Sequence, residues 1–288
     1  MKSLHLKLIF IALFLAVNLF FVFKISSLYT SKNIFTSEEI EQAVEVINKK
    51  GIKIDKEIVI KEKLVPSVIK LDFDSSVSEE IAKRIMQNSY GSFTIPDGFS
   101  YSNDRESLSF STDYRIEYRA LTESITNEDL EKILKNVSSV DENGEKITNE
   151  LTKTFFKDIN SDPYTVSLVP QKSVTVDGIT YIEALQFVDK YEIETARIIV
   201  ATRETIPLYI SGRLFFAEKY KDYETDFFDS INILFEIEES EKKIQQMELI
   251  YSVVFDNKSS VYLTPSYRFT YEDKTKKIYD ATSASKHS

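Results

Sequence analysis

The sequence predicts an α+β protein: a single N-terminal transmembrane helix followed by two packed lobes of antiparallel sheet covered by helices. Three observations carry that expectation. One apolar run, Leu8 to Phe23, broken only by Asn18, stands near the N-terminus, and nothing like it recurs. Downstream, apolar residues return every three or four positions in some stretches and every second position in others, the signatures of amphipathic helices and half-buried strands. A helix-then-strands order occurs twice within 288 residues, enough chain for two small packed units outside a membrane.

The apolar run comes first. A bilayer core about 30 Å thick takes roughly 20 apolar residues of helix. Leu8 to Phe23 is short of that alone, but Leu4, Leu6 and Ile25 extend it, giving an expected span of 8–25. Lys7 and Lys24 bracket the span, and lysines there snorkel to the interfaces. Lys2 and Lys7 sit in a short tail, 1–7, which the positive-inside rule leaves in the cytoplasm. Everything from residue 26 onward is then extracytoplasmic. A cleaved signal peptide is the rival reading, but it needs small residues after the apolar core. Phe23-Lys24-Ile25-Ser26-Ser27-Leu28-Tyr29 offers bulky ones, so the anchor is expected to be retained. The chain has no cysteine, which excludes a lipid-modified one.

Thr36-Ser37-Glu38-Glu39 is a capping box, and Ile40, Ala43, Val44 and Ile47 follow on one helical face. Lys49-Lys50-Gly51 ends that helix with cations and a glycine. An extended piece, Ile52 to Ile60, and a strand, Val68 to Phe73, come next. A second helix starts at Ser76, turns Ile81, Ala82, Ile85 and Met86 inward, and ends near Gly91. Phe99–Ser102, Glu106–Ser111 and Tyr114–Arg119 then alternate as a meander with turns at Asn103-Asp104 and Thr112-Asp113. These make an expected first lobe, 26–122.

The second lobe, 123–281, opens with Thr126-Asn127-Glu128-Asp129, which caps a third helix presenting Leu130, Ile133, Leu134 and Val137. Asn143-Gly144 reads as a turn, and Ile147, Leu151 and Phe155 as a fourth helix. Four strands follow: Val166–Val176, Ile179–Val188, Tyr191–Ala201 and Leu208–Ala217. Asp177-Gly178 is the strongest hairpin signal in the chain. A helix is expected over Asp226–Glu236, then strands at Gln245–Phe255, Val261–Tyr271 and Lys277–Ala281. Pro265 predicts an interruption or an edge in the second of these. The polar tail, 282–288, is expected to be disordered.

Composition excludes several function classes. The net charge of −10 opposes binding to nucleic acid. The two histidines, His5 and His287, lie at the extremities, so neither a Ser-His-Asp triad nor a histidine metal site fits the folded region. No Gly-x-Gly-x-x-Gly or P-loop pattern occurs among the six glycines. No cofactor, metal or catalytic residue is expected.

Four stretches remain as candidates. In the anchor, Ala12 and Ala16 form a small-xxx-small pair that lets another helix approach. Asn18 points about 120–160° away from them at 3.6 residues per turn. The two faces suit two spanning partners. Ser240-Glu241-Lys242-Lys243 matches a Ser-x-x-Lys pattern, but it lies in the charge run Glu236 to Lys243 and lacks companion motifs. Acidic clusters such as Asp72-Phe73-Asp74 have no calcium-loop spacing and read as solvated surface. The aromatic segment Tyr209 to Tyr223, with Phe215 and Phe216, suits either a ligand groove or dimer face, or a buried strand.

The order of features resembles one known family. The residues are Lys7-Leu8-Ile9-Phe10-Ile11-Ala12-Leu13-Phe14-Leu15 in the anchor and Ile244-Gln245-Gln246-Met247-Glu248-Leu249-Ile250-Tyr251 near the end. Leu263-Thr264-Pro265-Ser266-Tyr267-Arg268-Phe269 and Ile278-Tyr279-Asp280-Ala281 complete them. Together they resemble the YycI (WalI) family of membrane-anchored regulators of the WalK/WalR two-component system in low-GC Gram-positive bacteria. The resemblance implies a pseudo-repeated α+β fold and no enzymatic activity. It also implies contact with a WalK-like sensor histidine kinase and a YycH-like sister protein. Association into a homodimer stays open. The expected mode of action is helix packing in the bilayer and docking outside it. The alternative from another class is a membrane-anchored extracytoplasmic ligand-binding or protease-inhibitor module. A hydrolase working through paired carboxylates would need two facing acids, and no spacing suggests them.

Overall fold

The structure, a computed structural model, describes residues 33–63, 65–73, 75–86, 89–156, 164–216, 221–223, 226–237, 242–256 and 260–282. The expected membrane span, 8–25, with Ala12, Ala16 and Asn18, lies outside the described residues, as does 283–288 of the tail. Among the described residues no helix is long and apolar enough to cross a membrane.

Five helices and thirteen strands are described. In chain order they are α1 (Ser37–Lys49), β1 (Val68–Asp72), α2 (Ser75–Ile85), β2 (Gly91–Ile95), β3 (Gly98–Ser102), β4 (Glu106–Ser111) and β5 (Arg115–Ala120). Then come α3 (Asn127–Leu134), α4 (Glu142–Phe156), β6 (Val166–Val176), β7 (Ile179–Val188), β8 (Tyr191–Arg203) and β9 (Ile206–Arg213). Last are β10 (Lys221–Tyr223), α5 (Ser230–Glu236), β11 (Ile244–Phe255), β12 (Ser260–Tyr271) and β13 (Lys276–Asp280).

The expected pair of separate antiparallel sheets is not what forms. All thirteen strands join one hydrogen-bonded network with the order β10-β1-β12-β11-β8-β9-β5-β4-β3-β2, with β13 on β12 and the β6–β7 hairpin on β8. The network is mixed, because β11 meets β8 in parallel at Tyr251 and Ile193. Two long-range pairings erase the expected lobe boundary near residue 122. Strand β5 pairs with β9 from Arg115–Arg213 to Arg119–Tyr209, and β1 pairs with β12 from Ile69–Leu263 to Asp72–Ser260. Alternation shows that a segment is a strand but not which distant strand it joins.

The chain divides into two compact units, both discontinuous. One comprises 1–66, 226–248 and 267–288; the other comprises 67–225 and 249–266. In the first, α1 begins as the sequence requires. The Thr36 N–H donates to Glu39 Oε2 at 2.6 Å, and the Glu39 N–H donates to Thr36 Oγ1 at 3.2 Å. Its buried face is Ile40, Ala43 and Ile47. Helix α5 is capped by Asp229, whose carboxylate accepts from the Ile231 and Asn232 N–H groups. Ser230 Oγ donates to the Ile60 carbonyl at 2.6 Å.

In the second unit the sheet is buried on both sides. Ile198 and Val200 of β8 enter a core with Val77, Ile81 and Ile85 of α2 and Leu151, Phe155 and Phe156 of α4. Ile199 and Ala201, pointing the other way, pack under Leu130 and Leu134 of α3. Burial on both faces explains why Ile198 to Ala201 is an unbroken apolar run rather than an alternating one.

Three local expectations are corrected. Asn143-Gly144 is not a turn but the first turn of α4. Strand β12 runs unbroken through Pro265, whose missing N–H falls two residues past Leu263, the last partner of β1. Strands β2 and β10 have no counterpart in the sequence reading, since Gly91-Ser92-Phe93-Thr94-Ile95 alternates over only two large apolar residues and Lys221-Asp222-Tyr223 is too short to alternate.

Candidate functional site

Ala12, Ala16 and Asn18 lie outside the described residues, so the contact faces expected there have no described geometry. The Ser-x-x-Lys stretch is partly described. Lys243 Nζ stands 2.5 Å from Asp55 Oδ2 and Lys242 pairs with Asp273, both half-exposed. Both lysines are thus committed to surface carboxylates, far from the buried setting beside a serine that such chemistry requires.

Asp72, the described part of the first acidic cluster, is consumed structurally. It accepts from Ser260 Oγ at 2.7 Å and pairs with Lys70 and Lys221, both at 3.1 Å. The Ser260 hydrogen bond, aided by the two lysines, overcomes partial burial and holds its carboxyl down at about 2. Among the described residues no three His, Cys, Asp or Glu side chains gather to hold a metal ion.

The described part of the aromatic segment up to Phe216 is core rather than groove, while Tyr223 is half exposed. Phe215 and Phe216 are fully buried, and Tyr114 packs against both, at 5.2 and 5.6 Å between ring centroids. Phe73 meets Tyr114 edge-on at 5.4 Å. Burial, with the Asp72 charge as a lesser cause, pushes the Tyr114 phenol far above its ordinary pKa. It stays neutral.

An open concavity in the second unit lies where α4 starts beside the β6–β7 and β8–β9 turns. It holds about 410 Å³ and is lined by Asn143, Lys146, Ile147, Thr175, Thr180 and Glu204, among others. Its rim is fixed by Asp141, which receives the Gly144 N–H at 2.7 Å, Ser173 Oγ at 2.7 Å and Thr175 Oγ1 at 3.2 Å. Partial burial raises the Asp141 pKa, but these three donors outweigh it and leave the carboxyl below its ordinary value. Thr175 and Thr180 share a hydroxyl hydrogen bond of 3.0 Å. Gly144 makes the approach possible: a Cβ there would overlap the Ser173 side chain.

Lys146 and Glu204 bring opposite charges to this cleft, and among the described residues neither is engaged in an ion pair. Glu204 sits at φ 57° in the β8–β9 turn, which projects it from the sheet end. The arrangement offers hydroxyls, one amide, one cation and one anion over the buried Ile147. Sequence reading missed this site; the available signal was Asp141 standing as a capping acid immediately before a helix.

Comparisons with known proteins add little. No family model matches the chain, and no curated protein matches it. Among solved structures, the crystal structure of an uncharacterized protein from Eubacterium rectale is similar. It is 11% identical, with 81% of this chain and 88% of that one covered, at a TM-score of 0.42. A likeness at that score carries no argument about fold or activity.

Proposed function

We propose that this chain is a non-enzymatic regulator of a membrane sensor histidine kinase, of the YycI-like kind. It is held at the cell membrane by the apolar run Leu8 to Phe23, with its N-terminus in the cytoplasm and the rest outside. The observation that carries the reading is the placement of the resembling segments. Those near the end of the chain fall on β11, β12 and β13, three consecutive strands that close the fold and neighbour one another in the sheet. Asp72, Lys242 and Lys243, singled out from the sequence, are engaged in ion pairs. The protein acts by binding one kinase conformation better than the other. About 1–3 kcal/mol of such preference changes the signalling output. The partners are the kinase and a YycH-like sister protein.

The test is co-purification from detergent-solubilised membranes of the host. The Asn18→Leu chain and the Ala12→Ile/Ala16→Ile chain are each expected to lose one partner. Undiminished recovery of both partners with both variants would refute the reading.

The cleft beside α4 favours a second reading, a ligand-binding module. Opposite charges at Lys146 and Glu204 suit a small zwitterion such as a free amino acid. A thermal-shift survey of amino acids is its test. A stabilisation abolished by Lys146→Ala would support it, and no stabilisation by any amino acid would dismiss it.

A further inference from the structure

Strand β2 is the last strand at its end of the sheet, hydrogen-bonded among the described residues to β3 alone. Its exposure is unusual: Gly91, Ser92, Phe93 and Thr94 are exposed on both faces, and Phe93 has 57% of its surface in solvent. Edge strands are ordinarily guarded by charges, bulges or prolines within the strand. This one has none. From Ser89 to Ser102 the only charged residue is Asp97, in a chain that is 28% charged.

The ladder shows which groups face outward. Asn103 N–H donates to the Glu106 carbonyl at 3.0 Å, and Thr112 N–H donates to the Asp97 carbonyl at 2.7 Å. In an antiparallel pair, bonded and non-bonded positions alternate. Between those two bonds, Tyr101 and Phe99 therefore direct their backbone groups at β4, leaving Ser102, Ser100 and Gly98 to β2. Their partners are Gly91, Phe93 and Ile95. The N–H and C=O groups of Ser92 and Thr94 consequently point away from the sheet.

We propose that β2 pairs with β2 of a second copy, antiparallel, about a two-fold axis through Phe93. That register sets Ser92 opposite Thr94 of the partner copy, and the reverse, so every outward backbone group is satisfied by four new hydrogen bonds. Phe93 falls opposite itself at a non-bonded position, where Cα atoms are about 4.5 Å apart and aromatic cross-strand pairs are favourable. Gly91 and Ile95 lie opposite one another on the Phe93 face, and Ser92 and Thr94 form a hydroxyl row on the other. No charge opposes a like charge across the seam, an essential condition between copies of a chain carrying −10. The interface is isologous and closed, so it stops at a dimer. It stands independently of the regulator reading.

The full chain has no cysteine, so single thiols report position cleanly. The experiment is mild oxidation of the full-length chain in its host membrane, read by non-reducing electrophoresis. Phe93→Cys is expected to give a disulfide dimer. Mixed Gly91→Cys and Ile95→Cys copies should cross-link with each other far more than either does alone. Ser100→Cys, on β3, should give several-fold less dimer than Phe93→Cys. Adding Thr94→Pro, which removes an outward N–H, should abolish the Phe93→Cys product while leaving the melting temperature unchanged. Equal cross-linking at residues 93 and 100, or none at 93 in a normally melting chain, would overturn the proposal. Capture of Phe93→Cys by a different protein would overturn it too, and would assign the edge to that protein.

Discussion

The side chain of Gln186 takes both backbone hydrogen bonds of Phe215. Its Nε2 donates to the Phe215 carbonyl at 2.6 Å, and the Phe215 N–H donates to its Oε1 at 2.8 Å. Both residues are fully buried. Gln186 lies at the irregularity where the β7–β8 register shifts between Leu185 and Phe187. A side-chain amide thus continues the ladder for a chain that has just left β9.

Gln186→Leu strands a buried donor and a buried acceptor, each costing about 1–3 kcal/mol. The expected loss is about 2–6 kcal/mol in urea unfolding. Gln186→Glu keeps the acceptor, but its carboxylate would be buried and unpaired. That variant should therefore be most stable at low pH and lose stability as pH rises through the raised carboxyl pKa, a trend absent from Gln186→Leu.

Gly144→Ala is expected to destabilise the second unit by about 1–3 kcal/mol, the range for overpacked contacts. The added methyl collides with Ser173, which donates to Asp141 at 2.7 Å. Pairing it with Ser173→Gly removes both clashing atoms, Oγ and Cβ, so the double variant should lose less than the two single losses combined. Chemical denaturation of the four chains measures this.

Tyr118 donates its hydroxyl to Glu106 Oε2 at 3.0 Å, where Glu106 is only 3% exposed and also receives Asn103 Nδ2 at 3.2 Å. Burial first, and the Glu106 charge second, push the Tyr118 phenol far above its ordinary pKa. Tyr118→Phe should cost about 1.5–3 kcal/mol, as for hydrogen bonds to charged groups. In the Glu106→Gln background the same change should cost less, and a double-mutant cycle reads the coupling.

Asp72 makes a pH prediction. Its folded pKa, about 2, lies below the ordinary 3.8. The ionised group therefore stabilises the fold above pH 4 or so, and that contribution disappears as pH falls through about 2. Asp72→Asn should be less stable than the parent at neutral pH. The gap in denaturation midpoint should narrow steadily between about pH 4 and 2.

What the sequence revealed was local, and what it concealed was long-range. The Thr36–Glu39 box, the Thr126–Asp129 box and the Asp177-Gly178 turn with its positive φ at both residues all form as read. Each is decided by residues within a few positions of one another. The joining of β5 to β9 brings Arg119 against Tyr209, and β1 to β12 brings Leu71 against Val261. Nothing in those residues names its partner. Asn143-Gly144 misled because its turn propensity is overridden by Asp141 and by the close packing on Ser173. The cleft lined by Lys146 and Glu204 was illegible for the same reason as the sheet, since a helix start and a strand turn supply one charge each. The membrane-contact residues Ala12, Ala16 and Asn18 remain a reading of the sequence alone.

The interleaving of the two units bears on how the polypeptide is made. Helix α1 emerges from the ribosome long before α5, β13 and the adjoining ends of β11 and β12, with which it shares a compact unit. That unit cannot complete itself during translation until the last strands are released. Premature termination anywhere after β9 would spare most strands of the second unit while leaving the first without its closing pieces, and no single proteolytic cut could liberate either as an intact fragment.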